Sequence, residues 1–327
     1  MSPVDWTAVA NRISFVPIRF GRPSVDRRTA REILGCDDGD LAALAEAGLP
    51  YAGDGDDRLF DPDDLYNLAI YSGTGRTLPE RAFGTLFRFT AGGTGGLTVP
   101  RAWRLTLRLE CGDCRGPAAW SLHEPTGGSF GGGRSRALLP GPSEREAAYT
   151  ASVVTRGTRT PLVSPLLRKI AYEYLEGGLR WQMLPEDLQV DYDAVHDLGA
   201  TGCVAGSLYL ADRFRIEGYE AEARRGWFCD APAGIAEVPY AWVEVIDDDG
   251  RPKAVDVTTP QLAARFSPGA RVFQDLCVGS AFNRVVLCDG LADEPLAAHA
   301  CGGDPARVVV RSDIRAAHAG TGGTENV

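Results

Sequence analysis

The sequence predicts an α+β fold, in which helix-rich and strand-rich segments follow one another along the chain. Residues 24–82 carry helix-capping signals, and residues 97–160 alternate between apolar and polar side chains. A strong helix signal after residue 162 is then followed by further strands. Runs of helices and runs of strands without regular alternation are typical of α+β proteins.

The length of 327 residues is enough for about two domains, and 44% hydrophobic with 24% charged residues is typical of a folded globular protein. We expect four regions: a helical module over 1–90, a β-rich segment over 97–160, a mixed core over 161–300 and a flexible tail over 302–327.

The charge balance restricts the partners. The chain has 44 acidic and 34 basic residues, which gives a net charge of −10 at pH 7. Nucleic acids and anionic membranes attract cationic surfaces, so we expect neither as a partner. The sequence has no run of 18 or more apolar residues, so we expect no membrane span. The first residues do not resemble a secretory signal. Eight cysteines scattered over so long a chain favour reduced thiols and a cytoplasmic location.

Three short helices are predicted near the start of the chain. The first has Thr29 to Glu32 as a capping box and ends at Gly35, and the second covers 40–47. The third begins at Asp61-Pro62, an N-cap followed by a proline at the first helical position.

With the turn at 53–57 between the second and third helices, this pattern resembles the winged helix-turn-helix units of the excisionase and MerR type. The second helix has no Arg, Lys, Asn or Gln to contact base edges, and its charges are acidic. We therefore expect a winged-helix-like packing or peptide-docking module, with DNA binding as the weaker alternative.

The middle segment reads as strands. Residues 103–109 alternate strictly between apolar and polar side chains, and 118–122 and 147–155 behave similarly.

A pair of cysteines, Cys111 and Cys114, has the spacing of half a zinc site. His123 is a possible third ligand, but the local sequence offers no fourth, and His299 has no supporting pattern. The expectation is therefore no metal and no cofactor.

A candidate nucleophile follows in the third region. Ser164-Pro165 starts a helix, and a second helix signal begins near Cys203 and ends at Gly218. A cysteine at a helix N-terminus is close to unpaired backbone N–H groups, which favour its thiolate form. A buried structural cysteine is the alternative. The strands predicted over 219–228, 238–245 and 253–260 follow this helix, as in papain-like proteins.

Three motifs in this region resemble the transglutaminase-like superfamily. They are Gly202-Cys203-x-x-x-Ser207, Tyr240-Ala241-Trp242-Val243-Glu244-Val245 and Asp256-Val257-Thr258-Thr259-Pro260. The family has a Gly-Cys helix start, a His-Ala-Trp-x-Glu strand and an Asp-Pro-Thr strand end, in this order. The resemblance covers about residues 162–260 and implies a papain-like, transglutaminase-like core.

The resemblance implies acyl transfer on a thiol. Cys203 matches the nucleophile, Asp256 matches the aspartate that orients the family's histidine, and Trp242 matches the tryptophan beside it. Tyr240 stands where the family has histidine. A phenol with an ordinary pKa of about 10 is a poor base at neutral pH.

Three interpretations of this substitution remain open. His196, seven residues before Cys203, is a candidate base, with a surface-loop histidine as the alternative. In the second interpretation, the acceptor amine supplies the base, or the helix terminus stabilises a Cys203 thiolate that needs no base. In the third interpretation the core is catalytically inactive and binds a peptide or carrier domain. Trp181 and Gln182 are possible oxyanion donors, and Cys229 is a rival thiol.

The resemblance thus implies a cysteine-dependent acyltransferase or amidase of transglutaminase-like type, a fold that makes amide bonds in bacterial specialised metabolism. Its expected partners are a thioester or ester acyl donor, free or carrier-bound, and an amine acceptor or peptide. The alternative is a catalytically degenerate binding protein for a peptide or carrier domain. A DNA-binding regulator is a third and weaker interpretation, and the oligomeric state stays open.

Overall fold

A computed structural model describes residues 4–87, 95–112, 114, 118–122, 131–140, 145–228, 240–267, 270–288, 291, 297–301, 304–306 and 308–316. The described helices are α1 (Trp6–Ala10), α2 (Arg27–Leu34), α3 (Asp38–Glu46), α4 (Pro62–Tyr71), α5 (Leu78–Leu86), α6 (Pro165–Glu176), α7 (Glu186–Gln189), α8 (Tyr192–Asp197), α9 (Cys203–Ile216), α10 (Thr259–Phe266) and α11 (Ala270–Cys277).

The described strands are β1 (Val25–Asp26), β2 (Tyr51–Ala52), β3 (Leu59–Phe60), β4 (Arg101–Cys111), β5 (Ala118–Leu122), β6 (Gly131–Pro140), β7 (Glu146–Thr155), β8 (Arg180–Trp181), β9 (Ala200–Thr201), β10 (Ala221–Phe228), β11 (Tyr240–Ile246), β12 (Pro252–Val255), β13 (Val278–Gly279), β14 (Arg284–Cys288), β15 (Ala297–Cys301), β16 (Asp304–Ala306) and β17 (Val308–Ala316). Helices and several separate sheets together make an α+β fold, as the sequence predicts.

The chain forms two compact units, and each is assembled from three segments. The first unit comprises Met1–Ala91, Lys169–Leu210 and Val257–Gln274, and the second comprises Gly92–Arg168, Ala211–Asp256 and Asp275–Val327. Each unit therefore combines segments from several of the consecutive regions expected from the sequence.

The first unit is mostly helical, and local capping explains its early helices. Asp26 caps α2 by accepting the Thr29 N–H, and Gly35 ends that helix in the left-handed conformation at φ 64°. The predicted capping box at Thr29 is therefore wrong, because Asp26 takes the N-cap position. Asp61 and Pro62 start α4 as predicted.

Two small sheets accompany these helices. β1, β3 and β2 form a three-stranded antiparallel sheet beside α2 to α4, and β8 pairs with β9 in parallel. The apolar sides of the helices meet in a core that includes Leu34, Leu44, Phe60, Leu65 and Leu68.

The second unit is built on sheets. β17, β4, β7 and β6 form one antiparallel sheet, whose buried face carries Trp103, Leu105, Leu107 and Leu109 at every second position of β4. A five-stranded sheet has the order β13-β12-β11-β10-β14, and a third sheet has the order β16-β15-β5. The alternation along β4 confirms the predicted half-buried strand.

Two sequence expectations, one about a strand and one about the C-terminal tail, are wrong. The strand expected over 253–260 ends at Val255, and α10 begins at Thr259 with Pro260 in its first turn, where a proline is well tolerated. The tail expected to be flexible contains β16 and β17. β17 pairs with β4 from Val308 to Ala316, which secures this part of the chain, and residues 317–327 lie outside the described residues.

Candidate active site

Cys203 is the first residue of α9, and its side chain is half-buried. The parallel pair of β8 and β9 places Thr201 beside Trp181, so the chain leaves β9 and enters the helix within two residues. The predicted helix start at Cys203 is therefore present.

The backbone before Cys203 is closely packed. A Cβ atom added to Gly202 would collide with the Oε1 atom of Gln189. The Oε1 atom of Gln189 accepts the N–H of Val204 at 3.2 Å, and the Nε2 atom of the same residue donates to the Leu184 carbonyl at 2.8 Å. Gln189 thus satisfies one backbone donor of the first turn of α9, and only a glycine at position 202 leaves room for it.

Beneath this first turn lies a chain of hydrogen bonds that the sequence did not indicate. The Tyr174 hydroxyl is 2.7 Å from Thr201 Oγ1 and 3.0 Å from His196 Nε2. A Cβ atom on Gly206 would come within 3.1 Å of the same hydroxyl, so this position of α9 must also be small. His196 is therefore tied through Tyr174 to the residue that precedes the Gly202-Cys203 pair.

His196 is also packed among aromatic rings. Its ring centroid lies 5.0 Å from Tyr209, 5.5 Å from Tyr174 and 6.0 Å from Tyr192. Burial lowers the pKa of His196 from its ordinary value, while Asp193 and Asp197 act in the opposite direction. The imidazole is therefore neutral at neutral pH, the form in which histidine acts as a base.

Trp181 and Gln182, the expected oxyanion donors, occupy different surroundings. The Trp181 ring stands edge-on to Phe83 at 5.8 Å and lines a cleft of about 330 Å³ with Arg180 and Arg265, among others. Gln182 is buried, its Oε1 accepts the Ser14 N–H at 3.0 Å, and its Nε2 donates to the Ser14 carbonyl at 2.8 Å. Ser14 thus engages the oxygen and one N–H of this amide, and donation from Gln182 to an oxyanion stays a prediction.

In the second unit, Tyr240 and Trp242 lie on β11 around a buried arginine. Arg284 is the first residue of β14, which belongs to the same five-stranded sheet as β11. Its guanidinium carbon is 5.4 Å from the centroid of the Tyr240 ring and 4.8 Å from that of Trp242. Phe282 adds a third ring at 5.6 Å. These distances are within the range of cation–π contacts, so the rings stabilise a charge that is withdrawn from water.

Asp256 completes this cluster. It follows β12, its N–H donates to the Cys277 carbonyl at 3.0 Å, and its Oδ2 is 3.5 Å from Arg284 Nη2. Both side chains of this ion pair are buried, with 0% of Arg284 and 2% of Asp256 exposed. The motifs do not point to Arg284, because nothing near it in the sequence connects it to them.

The burial of the cluster determines its proton chemistry. Burial raises the pKa of Tyr240 well above its ordinary value of 10; Arg284 lowers it and Asp256 raises it further. Burial likewise raises the pKa of Cys277 well above its ordinary value. A phenol in this environment stays protonated at neutral pH, so it can donate a hydrogen bond but cannot act as a base.

The structure therefore brings together Tyr240, Trp242 and Asp256, with Arg284 among them, in the second unit. Cys203 belongs to the first unit with His196, Trp181 and Gln182. The rival thiol Cys229 lies outside the described residues.

Within the part of the chain that the structure describes, one group of side chains has the composition of a metal site. Cys111, Cys114, His299 and Cys301 each offer one ligand atom, and these atoms lie within 4.8 Å of one another. The sequence offers Cys111, Cys114 and His123 as local ligands, and His123 lies outside the described residues. The structure adds His299 and Cys301 from β15, which are remote in sequence. In the same described part, no helix is both long and apolar enough to cross a membrane.

No protein-family model and no curated protein matches this chain. The chain is similar in structure to a proposed cysteine protease from Cytophaga hutchinsonii, with 11% sequence identity and a TM-score of 0.40. The match covers 67% of this chain and 91% of the other.

Proposed function

We propose that the protein is a cysteine-dependent acyltransferase, in which Cys203 takes the acyl group from an activated thioester or ester. The supporting observation is the position of Cys203 as the half-buried first residue of the 14-residue helix α9. Unpaired N–H groups and the helix dipole at this end favour a thiolate, which is the nucleophilic form.

Four other described cysteines are less suited to this role. Cys111, Cys277 and Cys301 are buried. Burial, with Asp40 and Asp37 nearby, raises the pKa of the Cys36 thiol to about 12. A thiol that stays protonated attacks a carbonyl slowly, so the proposal assigns the reaction to Cys203.

The proposed reaction has two steps. The Cys203 thiolate attacks the carbonyl carbon of the donor, and the donor's thiolate or alkoxide leaves, which forms a thioester on Cys203. An amine then attacks this thioester, an amide bond forms, and the Cys203 thiolate leaves again while the amine loses a proton. His196 is the proposed acceptor of that proton, because burial keeps its imidazole neutral.

The choice of activated donors follows from Tyr240. Its hydroxyl is buried and its pKa is raised well above the ordinary value, so it does not replace the histidine of the transglutaminase-like pattern as a base. A thioester or ester has a leaving group that needs little protonation, whereas an amide needs an acid. The proposed donors are therefore thioesters or esters, free or on a carrier, in a reducing compartment such as the bacterial cytoplasm.

Intact-mass measurement tests the proposal. We expect purified protein, incubated with a panel of free and carrier-bound acyl thioesters, to gain one acyl mass that Cys203→Ala abolishes. Cys36→Ala is the matched control and should keep the adduct. A general acid or base accelerates a reaction by about 100- to 10,000-fold. The proposal gives Tyr240 no such role, so Tyr240→Phe should slow turnover by less than about 100-fold. An unchanged adduct in Cys203→Ala would contradict the assignment.

Selective alkylation provides a second test that needs no substrate. We expect iodoacetamide near neutral pH to label Cys203 before Cys36, whose pKa is about 12. Peptide mapping by mass spectrometry identifies the first site. Faster labelling of Cys36 would show that the start of α9 does not activate its thiol.

The cluster around Arg284 favours a second candidate function, a binding protein with an inactive transglutaminase-like core. Tyr240 and Asp256 there surround a buried cation instead of a catalytic histidine. In that case the protein would bind a carrier domain or peptide, and Cys203→Ala would leave the affinity unchanged. Saturable carrier binding without any acyl-enzyme would favour this candidate.

A further inference from the structure

Four potential metal ligands meet where two distant parts of the second unit come together. Cys111 is the last residue of β4, and Cys114 follows in the connection to β5. β5 pairs antiparallel with β15, and this register places Ala118 opposite Cys301. Cys111 and Cys114 therefore lie near Cys301, at the end of β15.

The strand geometry of β15 supplies the other two ligands. His299 and Cys301 are two positions apart, so their side chains point to the same face of the strand. His299 Nδ1 is 3.1 Å from Cys301 Sγ, and Cys301 Sγ is 3.3 Å from Cys111 Sγ. One nitrogen and three sulfur atoms thus converge on one point from two segments.

The distances fit tetrahedral zinc. With Zn–S of about 2.3 Å and Zn–N of about 2.0 Å, ligand atoms at tetrahedral angles are roughly 3.5 to 3.8 Å apart. The observed separations extend from 3.1 Å to at most 4.8 Å, so shifts of about an ångström or less would complete the geometry. Three thiolates and one imidazole are ligands that zinc prefers.

Burial and charge support a closed, structural site. Cys111 is 0% exposed, His299 2% and Cys301 8%. The ring of Trp120 covers His299 at a centroid distance of 4.4 Å, which limits the access of water. Three thiolates with one Zn²⁺ and a neutral histidine carry a net charge of −1. The Arg145 guanidinium donates to the carbonyls of Cys111 and Gly112 at 3.3 and 3.2 Å, so a positive charge lies beside that site.

We propose that Cys111, Cys114, His299 and Cys301 bind one structural zinc ion, which joins the end of β4 to the end of β15. All four ligands are taken by the protein, so the site has no open position for a substrate. This inference is independent of Cys203 and of the acyl transfer proposed above. Binding releases the thiol protons to solvent, and no group changes its oxidation state.

Metal analysis of the full chain tests this inference. We expect one zinc per chain after purification without chelators, and Cys114→Ser to weaken zinc binding by at least about 100-fold, since even outer-shell changes cost about 10- to 100-fold. Cys114 is the least buried of the three cysteines, so this variant is the least disruptive to packing. Cys36→Ser, in the first unit, is the matched control and should bind zinc as the original chain does.

A rescue variant and a spectroscopic probe separate ligation from packing. Cys114→His still offers a zinc ligand, so it should restore affinity to within about 10-fold of the original chain. Cobalt(II) added to the metal-free chain should give the visible bands of a tetrahedral sulfur-ligated ion, and Cys114→Ser should lose them. A chain without metal, iron in place of zinc, a Cys111–Cys301 disulfide, or full zinc affinity in Cys114→Ser would each overturn the inference.

Discussion

Replacing Asp256 with asparagine tests the role of the buried cluster. The substitution keeps the shape of the side chain but removes the negative charge 3.5 Å from Arg284 Nη2. The guanidinium is then buried without the Asp256 charge, and the rings of Tyr240, Trp242 and Phe282 remain around it. Glu244, the other described carboxylate that interacts with Arg284, is also paired with Arg224. Removing one partner of a buried ion pair costs about 3 to 5 kcal/mol, because the other charge is left uncompensated.

A partly exposed ion pair in the same unit provides the matched control. Glu222 Oε2 is 2.9 Å from Arg215 Nη2, with about four-tenths of both side chains exposed. Water screens such a pair, so Glu222→Gln should lower the free energy of unfolding by no more than about 1 kcal/mol.

Urea unfolding, followed by tryptophan fluorescence, is a suitable assay because Trp242 reports on the cluster directly. With m-values of about 1 to 3 kcal/mol per molar, a loss of 3 kcal/mol lowers the midpoint by about 1 M or more. The Glu222→Gln midpoint should move much less. If both variants shifted the midpoint equally, the argument that burial makes the Asp256–Arg284 pair important would be refuted.

Three further predictions concern the first unit. Gly202→Ala should displace Gln189 from the Val204 N–H and lower the free energy of unfolding by about 1 to 2 kcal/mol, as loss of a helix cap does. Gly84 in α5 has open space around it, so the control Gly84→Ala should be neutral or stabilising by up to about 1 kcal/mol. Thermal unfolding measures both variants. Burial raises the pKa of Asp64 to about 7 from 3.8. The unfolded chain therefore holds fewer protons than the folded chain between these values, so the free energy of unfolding should fall as pH rises through this window, and a slope unchanged by Asp64→Asn in urea titrations would contradict this. Duplex DNA should not bind measurably at physiological salt, because α3 carries acidic and no basic side chains; a salt-sensitive gel shift would reverse that conclusion.

The local structure of this protein is largely determined by local sequence. Asp61 and Pro62 start α4, Gly35 ends α2 and Cys203 begins α9, each as its neighbours in sequence predict. The alternation along β4 likewise marks a strand with one buried face. Caps and periodicity involve residues within a few positions of one another, so they can be read without knowing the tertiary structure.

Local signals are less reliable where they compete. Thr29 to Glu32 has the pattern of a capping box, but Asp26, three residues earlier, caps α2. The strand expected over 253–260 ends at Val255, since proline and the following residues can also begin a helix. Short-range patterns therefore predict the presence of an element better than its boundaries.

The candidate sites depend on contacts that the sequence order does not reveal. Asp256 pairs with Arg284, and Gln182 is held by Ser14, 168 positions earlier in the chain. The cysteine pair at 111 and 114 finds its remaining ligands at 299 and 301. No local pattern distinguishes these partners from other arginines, serines or histidines, because each is selected by the strand pairing and packing that bring remote segments together. The sequence by itself thus determined the helix start that presents Cys203, whereas the tertiary structure decided which charges and thiols share a buried site.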